Sequence, residues 1–152
     1  MKPSDFFSEE EKKKIVRAIE EAEMNTSGEI RVHIEKDCKT DVLDRAAYIF
    51  GKLGMHKTDL RNGVLFYLAL EDRKFAILGD AAINRVTPDD FWDNIKEEVL
   101  KLFREGKIAD GLVKGILMAG EKLKEHFPHQ KDDVNELSDD ISFGDKMDEK
   151  NE

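Results

Sequence analysis

The sequence predicts an α/β fold, a three-layer α/β/α sandwich in which about four helices cover a small mixed sheet. Two strand patterns, 29–35 and 64–70, are separated by a helical pattern, and such a crossover predicts a parallel pair of strands. A third strand pattern, 74–78, follows after a tight turn and predicts an antiparallel hairpin. The sheet should therefore combine one parallel pair with one antiparallel hairpin.

The first part of the chain is predicted to hold one helix and one strand. Ser8 and Glu11 form an S-x-x-E capping box, which predicts that a helix begins there. In the segment 29–35, apolar and polar residues alternate with the period of a strand. Its polar members are predicted to form the wetter face, namely Arg31, His33 and Glu35.

The middle of the chain is predicted to hold a helix and the hairpin. Asp41 is expected to cap the second helix, and Gly54 to take the left-handed conformation after its end. The segment 64–70 is apolar on both faces, which predicts a central strand. In the hairpin, we expect Leu70 to face Lys74.

Two further helices are predicted next. Thr87 and Pro88 have the residue types of a helix cap and a first helical position, so a helix is expected to start there and to end at Gly106. The last helix is predicted over 108–125. Four of its residues are small and predict close packing against the sheet, namely Gly111, Gly115, Ala119 and Gly120.

Residues 129–152 have a different composition, with nine acidic residues, three lysines and few large apolar residues. Such a segment buries too little apolar surface to offset the entropy of ordering it. The sequence therefore predicts a domain over 1–128 and a disordered acidic tail over 129–152. A weak docking segment at 137–143 is the alternative.

Charge and composition limit the classes of function. The net charge is −9, and an acidic chain argues against general nucleic-acid binding, which needs clustered Lys and Arg. The chain has one cysteine, Cys38, in a charged loop, which predicts a free surface thiol. The N-terminal residues lack the apolar region of a signal peptide, and the longest apolar run is too short to cross a membrane. We therefore expect a cytoplasmic monomer without a membrane span.

Three loops are predicted to meet at one end of the sheet, namely 26–29, 57–63 and 79–84. The parallel strands begin at that end, and the hairpin returns the third strand to it. The polar side chains of these loops offer the oxygen ligands that Ca²⁺ and Mg²⁺ prefer. The candidate metal ligands are Thr26, Glu29, Asp59, Asn62 and Asp80.

The alternative is that these residues only form turns and helix caps, where the same residue types are common. Ligands of open parallel sheets also bind mostly beyond the carboxyl ends of strands, whereas this cluster lies at the amino ends of the first two. No zinc spacing, phosphate-binding loop or nucleophile motif is present in the sequence. These residue types therefore fit two interpretations, a hard-cation site and a set of turns and helix caps.

The motifs TSGEIRVHIE (26–35) and RNGVLFYLALEDRKFAILGD (61–80), with a later glycine-rich helix pattern, resemble the TPM domain family over about 7–127. The resemblance implies a Rossmann-like α/β/α sandwich without a phosphate loop. It also implies divalent-cation binding, chiefly calcium, in some members, and acid-phosphatase activity in one plant branch. The family's polar positions fall on Glu29, Asn62 and Asp80. The chain is most similar to the soluble, single-domain bacterial type.

Three functions follow as hypotheses. The first is a cation-binding accessory or regulatory module that uses Ca²⁺ or Mg²⁺. The second is a metal-dependent acid phosphatase in which Glu29 or Asp80 holds the metal and Arg61 steadies the phosphate. The third is a metal-independent domain that binds a protein partner through the tail.

Overall fold

The computed structural model describes residues 2–130 and 135–144, and within them a four-stranded mixed sheet. The strands are β1 (Glu29–Glu35), β2 (Gly63–Ala69), β3 (Lys74–Gly79) and β4 (Ser142–Phe143). Their order in the sheet is β3-β2-β1-β4. β1 is parallel to β2 and to β4, whereas β3 is antiparallel to β2. The predicted parallel pair and hairpin are therefore confirmed.

Six α-helices and a short 3-10 helix accompany the sheet in the described ranges, compared with the four helices that were predicted. Their bounds are α1 (Pro3–Phe6), α2 (Glu9–Asn25), α3 (Val42–Lys52), α4 (Ala81–Val86), α5 (Asp93–Arg104) and α6 (Ile108–Lys124), with the 3-10 helix at Met55–Lys57. The two additional helices, α1 and α4, have four and six residues, too few for an apolar stripe to reveal them in the sequence.

The helices cover both faces of the sheet, as expected for a three-layer fold. The larger core cluster joins one face of the sheet to α2, α5 and α6. The smaller cluster joins the other face to α3 and the 3-10 helix. Strand β2 lies between these layers and all seven of its residues are buried, which confirms the predicted central strand.

The small residues of α6 allow close contact with neighbouring helices. A Cβ atom at Gly120 would lie 2.8 Å from the Cβ of Ala22 on α2. One at Gly115 would lie 2.5 Å from Cγ2 of Val99 on α5. The predicted close packing is therefore present, but it is mainly directed at α2 and α5, with the sheet as a second neighbour.

Two predicted local signals are confirmed. Ser8 Oγ accepts a hydrogen bond from the Glu11 N–H at 3.1 Å, and the Glu11 carboxylate accepts one from the Ser8 N–H at 2.9 Å. Asp41 caps α3 by accepting bonds from two backbone N–H groups of its first turn.

Two local predictions are wrong. In the hairpin Ala69, and not Leu70, lies opposite Lys74, because the turn takes one residue more than expected and Arg73 adopts a φ of 52°. Thr87 ends α4, where its hydroxyl donates to the Ile83 carbonyl at 2.7 Å, and α5 begins only at Asp93.

Part of the predicted disordered tail is ordered against the sheet. Residues 135–144, which we call the C-terminal strap, run along β1 and contribute β4. The tail prediction is therefore wrong for the strap, because its apolar residues Leu137, Ile141 and Phe143 pack against the two core clusters. The prediction for 131–134 and 145–152 lies outside the described residues.

The predicted wetter face of β1 is also corrected. His33 and Glu35 have no exposed surface, and His33 Nδ1 lies 2.8 Å from Ser142 Oγ of the strap. Cys38 is buried as well, so the expected surface thiol is wrong. None of the helices in the described ranges combines the length and the apolar character of a transmembrane span.

Candidate functional site

The predicted loops do meet at one end of the sheet, and Glu29 lies at their centre. Glu29 is the first residue of β1, and its side chain is buried, with 4% of the residue exposed. Its N–H donates to the Asn62 carbonyl at 3.4 Å. Its Oε1 accepts a hydrogen bond of 2.6 Å from the N–H of Leu137 in the strap. The carboxylate therefore connects the start of the sheet to the strap.

The environment of Glu29 favours its neutral form. Burial raises the pKa of Glu29 to about 7, and the neighbouring Glu136 carboxylate raises it as well, while backbone N–H bonds from the strap oppose the shift. Removing a carboxylate from water and placing another beside it both disfavour the charged state. Within the described ranges, no Lys or Arg forms an ion pair with Glu29.

A second carboxyl pair lies nearby. Glu23, near the end of α2, accepts a hydrogen bond of 2.9 Å from the Ile30 N–H. Burial raises the pKa of Glu23 to about 9, and the adjacent Asp139 of the strap raises it further. At neutral pH this carboxyl group therefore carries a proton.

The strap also reaches the loop 57–63. The carboxylate of Glu136 accepts a bond from the Asp59 N–H, with distances of 3.3 and 3.4 Å to its two oxygens. The Asp59 residue itself is exposed. Two buried oxygens in this region, Thr58 Oγ1 and Asp139 Oδ1, have no hydrogen-bond partner among the described residues. The region therefore contains two buried oxygens whose hydrogen-bonding capacity the described residues do not use.

Asn62 and Thr26 are both buried beside this cluster. Asn62 Nδ2 donates to Ser27 Oγ at 3.4 Å, a long bond. The Thr26 hydroxyl donates to the Phe127 carbonyl and accepts from the Gly28 N–H at 3.1 Å. The Thr26 side chain thus holds its own loop to the end of the last helix.

Asp80 lies at the same end of the sheet but is engaged elsewhere. Its carboxylate makes a two-point contact with Arg61, at 2.8 Å from Nε and 3.0 Å from Nη2. It also caps α4 by accepting a bond of 2.7 Å from the Ala81 N–H. The structure therefore brings Glu29 and Asn62 together, whereas Asp80 is bound to Arg61.

The carboxyl groups form pairs, Glu29 with Glu136 and Glu23 with Asp139. Among residues 2–130 and 135–144, no three His, Cys, Asp or Glu side chains are already grouped to hold a metal ion. A cation bound by Glu29 and Glu136 would therefore need further ligands from neutral oxygens or water.

Sequence reasoning missed Glu23, Glu136 and Asp139. The apolar residues of 137–143, which indicate a docking segment, were the one signal in the sequence for Asp139 and the adjacent Glu136. Nothing in the sequence distinguished Glu23 from the other acids of α2.

The other end of β1 holds a polar cluster of a different kind. Glu35 binds Arg45 through two bonds, of 2.6 and 3.0 Å, and accepts a hydrogen bond from Tyr67. Burial opposes ionisation, but the His33 ring, whose Nε2 lies 3.3 Å from Oε1, and the hydrogen bonds from Arg45 and Tyr67 outweigh it and lower the pKa of Glu35 to about 2. This carboxylate is therefore neutralised by the protein itself.

Comparisons with known proteins agree with the fold. The chain is similar to the BA42 protein of the psychrophilic bacterium Bizionia argentinensis, known from an NMR structure, with 51% identity and a TM-score of 0.86. That match covers 90% of this chain and 94% of the other. No curated protein matches the chain.

A more distant solution structure, the N-terminal domain of a P. gingivalis protein, has 19% identity and a TM-score of 0.65. That match covers 82% of each chain and supports the fold alone. The model of the TPM domain family matches residues 1–122. The chain therefore belongs to the TPM domain family.

Proposed function

We propose that this TPM domain is a divalent-cation-binding module with an accessory or regulatory role, and that Glu29 is its central ligand. The observation that carries the proposal is the state of the Glu29 carboxyl group. It is buried, its pKa is raised to about 7, and the Glu136 carboxyl group lies beside it. Ca²⁺ or Mg²⁺ would provide the positive charge that this pair lacks in the described ranges.

The available donors suit a hard cation. Carboxylate oxygens come from Glu29 and Glu136, a buried amide from Asn62, and a hydroxyl from Thr58. Calcium takes about six to eight oxygen ligands and tolerates irregular geometry, with water completing the set. The family resemblance also implies cation binding in some members.

A cation must compete with protons at this site. Because the pKa of Glu29 is about 7, this carboxyl group holds a proton over part of the neutral range. Ligating carboxylates must be deprotonated, so binding should release protons and become tighter as the pH rises.

The test is an NMR titration with Ca²⁺ and then Mg²⁺, followed through the backbone amides of Gly28, Glu29 and Gly63. Saturable shifts at these amides in the wild type, lost in Glu29→Gln, are expected. The matched control is Glu97→Gln, which removes the same charge from an exposed position on α5. Shifts that persist unchanged in Glu29→Gln would rule out Glu29 as the central ligand.

The phosphatase hypothesis gains nothing from the arrangement of Arg61. Its guanidinium is held by Asp80 through two bonds, so a phosphate group would have to displace that carboxylate. We therefore propose binding and not hydrolysis. Cytoplasmic residence, the monomeric state and binding of a protein partner stay predictions from the sequence.

A further inference from the structure

The C-terminal strap touches β1 along most of its length. At the start of β1, the Leu137 N–H donates to Glu29 Oε1 at 2.6 Å. Near the middle, Arg31 Nη2 donates to the Asp140 carbonyl at 3.3 Å. At the far end, the Gly144 N–H donates to the Ile34 carbonyl at 2.9 Å. The strap therefore connects the two ends of one strand.

The attachment is limited in extent. β4 has only two residues, and its apolar anchors, Leu137, Ile141 and Phe143, are only partly buried. Segments with few buried apolar contacts open at a small cost in free energy, so a modest interaction can shift the balance between the docked and undocked states.

The strap also carries one member of each carboxyl pair. Glu136 lies beside Glu29, and Asp139 lies beside Glu23. When Glu29 and Glu136 are both ionised, repulsion between the like charges opposes docking. A cation that binds both members of a pair replaces this repulsion with attraction, and it does so only while the strap is docked.

We infer that the C-terminal strap completes the proposed cation site through Glu136, and that cation binding and docking of the strap on β1 are thermodynamically coupled. The inference rests on the proposed function. Its consequence is that a bound cation shifts the balance between the docked and undocked strap further towards the docked state. Coupling of this kind is reciprocal: the factor by which a bound cation strengthens docking equals the factor by which docking strengthens cation binding, so a strap that no longer docks leaves a weaker site.

The first measurement is hydrogen exchange of the Leu137 and Gly144 amides in the full chain, without and with saturating Ca²⁺. About tenfold slower exchange at both amides is expected if docking and binding are coupled. Gly144 is informative because it lies at the far end of β1 from Glu29. Saturable shifts at Gly28 and Gly63 with unchanged exchange at Gly144 would overturn the inference and leave the proposed function intact.

The second measurement uses variants that loosen the strap without removing a carboxylate. A Cβ atom at Gly144 would lie 2.8 Å from Cγ of Glu35, so Gly144→Ala should weaken docking from the far end. The matched control is Gly51→Ala, because a Cβ atom there has no neighbour within 4 Å. Weaker Ca²⁺ binding in Gly144→Ala but not in Gly51→Ala is expected.

Leu137→Ser provides a second way to loosen the strap in case the Glu35 side chain moves aside for the new methyl group. Its control is Leu43→Ser, at an exposed leucine of α3. Wild-type affinity in Leu137→Ser, together with faster exchange at Gly144, would overturn the coupling. Absence of saturable shifts at Gly28 and Gly63 in the wild type would instead refute the proposed function, and the coupling with it.

Discussion

Glu29 and Glu35 begin and end the same strand and point to the same face, yet their carboxyl groups have opposite ionisation behaviour. The pKa of Glu29 is raised to about 7, whereas that of Glu35 is lowered to about 2. Both are buried. The difference lies in their neighbours, because Glu35 is bound by Arg45 whereas Glu29 lies beside another carboxyl group.

Glu29 should make the cation-free protein less stable as the pH rises. Its folded-state pKa lies above the ordinary 4.5, so its contribution is full below pH 4.5 and is lost as the pH rises to about 7. In the presence of a chelator, Glu29→Gln should remove about 1–3 kcal/mol of this pH dependence. The measurement is urea unfolding at pH 5 and pH 8.

The exposed-site variant Glu97→Gln is the control for that experiment. It should keep the wild-type difference in unfolding free energy between the two pH values. An equal pH dependence in the wild type and Glu29→Gln would show that the raised pKa of Glu29 does not contribute to stability.

Arg45 is predicted to be essential for burying Glu35. Arg45→Met leaves a buried carboxylate without its cation and should cost about 3 kcal/mol at pH 7. Because the pKa of Glu35 is lowered, its stabilising effect is present above pH 4.5 and is lost as the pH falls towards 2. The loss caused by Arg45→Met should therefore shrink in acid.

Adding Glu35→Gln to Arg45→Met tests the same point independently. The double variant should recover part of the lost stability in urea unfolding at pH 7, because no charge then remains buried. A double variant that is less stable than Arg45→Met would contradict this interpretation.

The sequence predicted the parts of the fold that local patterns determine. Local patterns were enough to identify the capping residues Ser8 and Asp41 and the apolar strand β2. None of these patterns depends on residues that are distant in the sequence. The prediction that Thr87 begins a helix was wrong because a short helix precedes it. Asp80 had already started a short helix, so Thr87 ended that helix and did not begin the next.

The candidate site was only half predictable. Glu29 and Asn62 could be placed together because adjacent parallel strands begin at the same end of a sheet. Glu136 and Asp139 could not be placed at the site from the sequence. Their acidic segment has the composition of a solvated tail, and docking of the strap depends on only a few apolar residues. The ionic partner of Asp80 could not be predicted either, because Arg61 lies in a loop with a φ of 52°, a conformation that the sequence does not indicate.

Gly120 is predicted to be required for contact between α6 and α2. A Cβ atom there would lie 2.8 Å from the Cβ of Ala22 and 2.9 Å from its Cα, and this backbone cannot move aside cheaply. Gly120→Ala should destabilise the protein by about 1–3 kcal/mol in thermal or urea unfolding. Gly51→Ala, in open space on α3, should be neutral or stabilising by up to about 1 kcal/mol. Similar effects at both positions would contradict the close packing.

Asp80 tests whether the cation site is centred on Glu29 alone or also includes the end of β3. Its carboxylate is held by Arg61 and caps α4, so Asp80→Ala should cost about 1 kcal/mol of stability through the lost cap. If Glu29 is the central ligand, Asp80→Ala should change Ca²⁺ affinity less than about twofold, whereas Glu29→Gln should weaken it more than about tenfold. Both affinities can be measured by titration calorimetry on variants whose unfolding curves confirm that they are folded. A loss of binding in Asp80→Ala as large as that in Glu29→Gln would mean that Arg61 releases Asp80 to the cation, and the site would then include the end of β3.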